Sequence, residues 1–445
     1  MGLEVSLPCT SPEWLSEAKE GRKGIVIVHG LASCALLSKV DPGYYIGCSL
    51  PCSDATGWDL TWASIEEVVT GPQRWRNTLE LKQGMGARRD GTAVPVSFDP
   101  PHIKVKPYPG LEGIATLNPG EYLRVPIWEH FIEALAPTYR LRAANYDWRR
   151  WGDEPFMEAH VAEFRTTVEE EVALTRGPVG IASHSLGTAV VAYCLTALGP
   201  EWTRRHISEV LMIASVLPGC PKGCTSYAHN PGAALTGFKN LPKSVEAFIR
   251  ECVTQAPSMA CLLPNRVGGL DMYPEGKAMV VTADRTFTAH QMDDYAQELL
   301  RHMPPGRVPT AQFRAGIERM WGELRAPPVP THIFYSGQVD TIDEIRFAGS
   351  GLAETPEVSR TAPGDGTILA STQVALGEAW RRHEGAEVYL FPAPAGATED
   401  HLGLVGASWV TVLAHYLFGP GGRESAGALS ADSAKAAAVG VPNCC

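Results

Sequence analysis

Short β-branched runs and longer amphipathic segments alternate along most of this chain. Gly24-Ile-Val-Ile-Val-His-Gly30 carries an unbroken apolar run, as a strand buried on both faces requires, and closes at His29-Gly30. Residues 125–136 (VPIWEHFIEALA) space their apolar positions as a helix does, YRLRAANYDWR supplies a strand and the loop after it, and residues 156–177 form an amphipathic helix ending at Gly177. PVGIAS then reads as a strand, TAVVAYCLTALG as a helix that stops at Gly199, and EVLMIASV (209–216) as a further strand. Such alternation predicts a mainly parallel sheet covered on both faces. The pattern lapses across 220–330, where prolines and glycines accumulate, then resumes at THIFYSG and AEVYLFP before a last helix in GASWVTVLAHYLF.

Two other stretches depart from the alternation. Residues 41–109 are rich in Gly, Pro and Trp, with a helix expected over WDLTWASIEEVV (58–69). Beyond Gly419 the chain turns to Gly, Ala and Ser, which bury little and predict a disordered tail. The expected organisation is a core from 20–40, 107–219 and 331–418, a lid and membrane-contact insertion at 41–106, a cap at 220–330 and a tail at 419–445.

Composition narrows the function. The 445 residues are 44% hydrophobic and 20% charged, with a formal net charge of −11, which argues against a nucleic-acid partner. No apolar run near the N-terminus has the length of a signal-peptide core, and none elsewhere approaches a membrane span, so a cytoplasmic location is expected, peripheral on the cytosolic face of a membrane. The eleven cysteines show no disulfide-scaffold spacing, and Cys48/Cys52 and Cys220/Cys224 read as loop thiols rather than metal ligands. No cofactor or metal is expected. Gly2 in MGLEVS and the terminal Cys444 and Cys445 match lipidation patterns, and two such anchors together would hold a membrane stably. Each match is short enough to arise by accident.

The candidate chemistry centres on SHSLG, where Ser185 sits between a strand and a helix. The string resembles a nucleophile elbow, in which a strained strand-to-helix turn lifts a serine hydroxyl above a sheet, except that Ser183 replaces the usual glycine. A serine attacks at neutral pH only if a histidine takes its proton and a carboxylate orients that histidine. In α/β-hydrolases these partners follow in the order Ser, acid, His. Asp365, in a Gly-Asp-Gly loop beyond the strand at 331–336 and its long following loop, and His401, after the strand at 387–391, fit that order. Asp340 and Asp343 compete for the acid role, Asp400 is adjacent to His401, and His383 is the poorer base. The oxyanion needs backbone donors set in advance: Leu186, directly after the nucleophile, and Leu31, where Gly30 lets the backbone turn closely.

These motifs together resemble the lecithin:cholesterol acyltransferase family, which includes lysosomal phospholipases and phospholipid:diacylglycerol acyltransferases. The resemblance runs over roughly residues 24–418, through IVIVHGLASCALLSKV, the YDWR of Tyr146–Arg149, SHSLG, PSMACLLPN, RTFTAHQMDDY, GDGT and HLGLV. It implies an α/β-hydrolase fold with lid and cap, and a triad of Ser185, Asp365 and His401 with Leu31 and Leu186 as oxyanion donors. The implied activity is transfer of an acyl group from a glycerophospholipid to an alcohol such as a sterol or diacylglycerol. Hydrolysis with water, as a phospholipase A or lipase, and an inactive lipid-binding homologue stand as alternatives. The family's two disulfides would fall near Cys48 and Arg74, and near Ile333 and Gly377, and cannot close. In relatives the lid region contacts membrane. On the expected helix Trp58, Trp62 and Ile65 share a face that either packs into the core or meets lipid, and Trp75 carries the same two readings.

Overall fold

The computed structural model describes residues 22–41, 57–62, 64, 72–117, 119, 125–228, 255–302, 311–352, 356–383 and 385–419. Gly2, Cys48, Cys52, Ile65, Cys444, Cys445 and the tail expected after Gly419 lie outside the described residues. Six strands form the central sheet: β1 (Gly24–Val28), β2 (Arg140–Ala143), β3 (Val179–His184), β4 (Ile207–Ile213), β5 (Thr331–Tyr335) and β6 (Val388–Pro392). They lie in the order β6-β5-β4-β3-β1-β2, and every pairing is parallel. Five of them fall on β-branched or aromatic runs, and β2, with the sequence RLRA, falls in the segment read as a strand and the loop after it. β1 and β3 are buried along their whole length, which is why their sequences do not alternate.

The helices α1 (Glu154–Thr175) and α2 (Leu186–Leu198) pack on β1 and β3. Asp153 caps α1 by accepting the Phe156 amide, and Arg176 ends it in a left-handed conformation at φ 58°. A last helix, α3 (Ser408–Phe418), closes the core, with Phe418 packed against Gly180 of β3.

Among the described residues four smaller sheets flank this layer; two of them correct the sequence reading, and the smallest is the short antiparallel pairing of Arg266–Val267 with Leu270–Asp271. Residues Asp59–Trp62 form a strand, not the start of a helix over 58–69: they pair antiparallel with Leu36–Val40, which pairs in turn with Ile103–Pro107. The Trp58/Trp62 spacing suits a helix, but the partner strand supplies a ladder that local period cannot announce. The expected long loop after β5 is instead built into strands, Val339–Arg346 and Glu357–Gly364, joined to Ala278–Val281 and Thr286–Thr288 in one four-stranded sheet. The third is a hairpin, Lys82–Ala87 with Ala93–Phe98, tied to the core where Asp153 accepts both the amide (2.7 Å) and hydroxyl (2.8 Å) of Ser97.

The tryptophans follow from this architecture. Trp62 and Trp75 are each 1% exposed and stack at 5.9 Å, so of the two readings the structure has both in the core. Trp58 is half-buried, with the Lys106 ammonium 4.1 Å above its ring. Among the described residues no helix is long and apolar enough to cross a membrane.

Candidate active site

The turn between β3 and α2 places Ser185 at φ 52°, ψ −123°, a strained conformation for a residue with a Cβ. Its amide donates to Ile213 O at the end of β4 (3.0 Å), which fixes the turn from beneath. Gly187 makes the turn possible, because a Cβ there would come within 2.4 Å of Val28 O and 2.5 Å of His29 O. Ser183, the departure from the elbow pattern, is fully buried and donates its hydroxyl to Leu211 O on β4 at 3.1 Å.

Three predicted residues converge. His401 Nε2 lies 2.9 Å from Ser185 Oγ and His401 Nδ1 lies 2.8 Å from Asp365 Oδ2. Asp365 can only accept at neutral pH, so Nδ1 carries the proton and Nε2 presents its lone pair to the serine hydroxyl. The other Asp365 oxygen accepts the amides of Thr367 (2.8 Å) and Ile368 (2.6 Å). Burial of Asp365 opposes its charge, but attraction to His401 and these hydrogen bonds outweigh burial and hold the carboxyl below the usual carboxylate range. The competitors fall elsewhere: Asp343 pairs with Lys277 and Arg360, Asp340 is exposed, Asp400 caps the Gly403 amide, and His383 accepts from the Ala326 amide.

Sequence reasoning missed the groups that hold this chain in place. His184, preceding the nucleophile, is fully buried and donates Nε2–H to His401 O at 2.9 Å, while the His401 amide donates to Asp365 O at 2.8 Å. Burial, with repulsion from His401, pushes the His184 pKa down to about 3, so it is neutral near pH 7. Tyr146 of YDWR clamps the loop after β1: its hydroxyl donates to His29 O (3.0 Å), its amide to His29 Nε2 (3.2 Å), and its ring stacks on that of His29 at 4.2 Å. Burial lowers the His29 pKa to about 4. Arg149 of the same motif is 2% exposed and pairs with Asp147 (2.6 Å) and Asp99 (2.9 Å). The pattern YDWR could have pointed to such a role, but nothing local names its partner.

Leu31 lies on that clamped loop, and Leu186 is the first residue of α2, where an amide has no partner one turn back. A cleft of about 40 Å³ opens beside Ser185, lined by Leu31, His184, Val216, Cys220, Leu262 and Leu402 among others. Lys222 brings an ammonium to its wall, bonded to Gly366 O at 2.9 Å and Thr367 Oγ1 at 3.1 Å. Among the described residues no cluster of His, Cys, Asp and Glu could hold a metal, and Cys220 and Cys224 are buried free thiols.

The parallel sheet and the strained serine turn at its edge define an α/β-hydrolase. Within that class the chain is a relative of the lecithin:cholesterol acyltransferase family, whose model matches residues 85–305. The match covers the serine turn and stops short of Asp365 and His401. The chain is 26% identical over 215 residues to "Lecithin-cholesterol acyltransferase-like 1" of Arabidopsis thaliana, covering 48% of this chain and 46% of that protein. It is 27% identical over 283 residues to "Lysosomal phospholipase A and acyltransferase" of Canis lupus familiaris, covering 63% of each. The chain thus spans from under half to under two thirds of these relatives' lengths. Among solved structures, "The crystal structure of Tle4-Tli4 complex" aligns at 12% identity with a TM-score of 0.49, covering 93% of this chain and all of that one.

Proposed function

We propose that the protein is a serine-dependent lipid acyltransferase that takes an acyl group from a glycerophospholipid through Ser185 and passes it to an alcohol, a sterol or a diacylglycerol. The observation that carries this reading is the hydrogen-bonded chain Ser185–His401–Asp365, set on a fold related to lipid acyltransferases. Ser185 Oγ attacks the ester carbonyl carbon while His401 Nε2 takes its proton, and Asp365 stabilises the imidazolium. The carbonyl oxygen becomes an oxyanion facing the amides of Leu31 and Leu186. Collapse breaks the bond to the glycerol oxygen, which leaves with the proton from His401. The acceptor hydroxyl then attacks the acyl-serine, giving its proton to His401, and the new ester departs as Ser185 regains its hydrogen.

Water in the acceptor's place gives a phospholipase, and the canine relative, named for both activities, supports keeping that outcome in the test. At about 40 Å³ the cleft has room for only a few water molecules, so an acyl chain needs more space than it offers. Because both substrates reside in a bilayer, the protein works at a membrane surface.

The test uses vesicles of labelled phosphatidylcholine containing a sterol and a diacylglycerol, with steryl ester, triacylglycerol and free fatty acid measured together. Transfer predicts ester product, and fatty acid alone would replace transfer with hydrolysis. Ser185→Ala should lower acyl release by about 10⁴-fold. Full activity in that variant would refute the nucleophile.

A further inference from the structure

We propose that Trp62 is a positioning residue for the oxyanion site, coupling the strand Asp59–Trp62 to the reactivity of Ser185. The inference rests on the reading of Ser185 as nucleophile and Leu31 as oxyanion donor. Ala32, the residue after Leu31, holds φ at 58°, a left-handed conformation that an alanine keeps only when its surroundings impose it. The imposing group is visible: the Trp62 indole Nε1–H donates to Ala32 O at 2.9 Å.

Trp62 is itself fixed. Its ring lies between Trp75, at 5.9 Å and 24°, and Trp148 of YDWR, at 5.1 Å and 60°. The Trp75 indole donates to Thr61 O at 2.8 Å, the Thr61 and Ser38 hydroxyls meet at 2.6 Å, and Arg74 pairs with Asp59 at 2.7 Å. Leu31 is therefore bracketed. On one side Tyr146 holds the His29 carbonyl, and on the other Trp62 holds the Ala32 carbonyl. An oxyanion donor acts only when its amide is aimed within a few tenths of an ångström, so both brackets bear on the same N–H. Displacement of the 59–62 strand would release Ala32, let its backbone relax and turn the Leu31 amide away. The position of this inserted strand thus sets whether the acyl site is competent.

The experiment measures the second-order rate at which a fluorophosphonate labels Ser185 in the full-length protein, since the phosphonyl oxygen occupies the oxyanion position. Trp62→Phe keeps an aromatic ring and removes the N–H. Trp75→Phe removes an indole hydrogen bond from the same cluster that ends on Thr61, not on the loop. The expected result is at least a tenfold loss of labelling in Trp62→Phe and less than threefold in Trp75→Phe, although both unfold at lower urea. Equal losses in the two, or wild-type labelling in Trp62→Phe, would overturn the proposal. If Trp62→Phe alone does not fold, Trp62→Phe with Ala32→Gly relieves the left-handed strain while leaving the carbonyl without its donor. Slow labelling there supports the proposal and a wild-type rate refutes it. Failure of the unmodified protein to label at Ser185 would instead refute the nucleophile reading.

Discussion

The two halves of the candidate site are held by different parts of the molecule. Ser185 is fixed by the central sheet and the helix that follows it: its amide bonds to β4, Thr188 of α2 donates to its carbonyl, and Gly187 tucks α2 against the carbonyls of Val28 and His29. Leu31 is fixed from outside the sheet, by Tyr146 in the loop after β2 and by Trp62 on an inserted strand. The geometry of the proposed nucleophile is therefore a property of the parallel-sheet fold, whereas that of the proposed oxyanion loop depends on Tyr146 after β2 and on the strand inserted between β1 and β2. Substitutions in the first group should act on stability and activity together, and those in the second on turnover with modest loss of stability.

Gly187→Ala should have the largest effect, because it strikes the contact the two halves share. A methyl group 2.4 Å from Val28 O and 2.5 Å from His29 O meets backbone, which cannot swing aside as a side chain would. We expect a loss of about 3 kcal/mol or more in urea unfolding, with activity falling below detection. A folded, fully active Gly187→Ala protein would show that the sheet does not fix the elbow as described.

Tyr146→Phe separates the halves. It removes the hydroxyl donated to His29 O but leaves the ring to stack on His29 and the amide to bond its Nε2. Stability should fall by about 1 kcal/mol, while kcat falls about tenfold. The elbow contacts are untouched, so loss of turnover beyond loss of stability marks the oxyanion half. A kcat within twofold of the unmodified protein would remove Tyr146 from that role.

The same division explains what the sequence made legible. The central strands of the sheet were readable because β-branched runs bounded by Gly, Pro and charged residues encode burial on both faces locally, as in GIVIV and VGIASH. Ser185, Asp365 and His401 were readable because chain order and loop position constrain an acid, a base and a nucleophile together, and the structure brings the three into one hydrogen-bonded chain. Trp62 was misplaced on a helix because its spacing from Trp58 fits either period, and the choice was made by Leu36–Val40. The partners of the clamps could not be read: Trp62 reaches Ala32 across 30 residues, Tyr146 reaches His29 across 117, and His184 reaches His401 across 217. No local pattern records such a meeting.

The smallest effect on turnover should come from Ser183→Gly, which tests whether the elbow is as self-contained as its contacts indicate. Glycine is the usual residue at this position because the turn beside it is tight, so a serine there could have imposed strain on Ser185. Instead its side chain reaches sideways to the neighbouring strand, where the hydroxyl donates to Leu211 O. Replacement by glycine removes that hydrogen bond and loosens β3, costing about 1–2 kcal/mol of stability. Turnover should change by less than about tenfold, since neither the Ser185 amide bond to Ile213 O nor the packing beneath Gly187 involves the hydroxyl. The measurement is kcat on a vesicle substrate beside a urea unfolding curve. A rise in kcat of more than about a hundredfold, equivalent to about 2.7 kcal/mol in barrier, would mean that Ser183 strains the nucleophile after all, and that the sheet shapes this elbow less freely than its hydrogen bonds indicate.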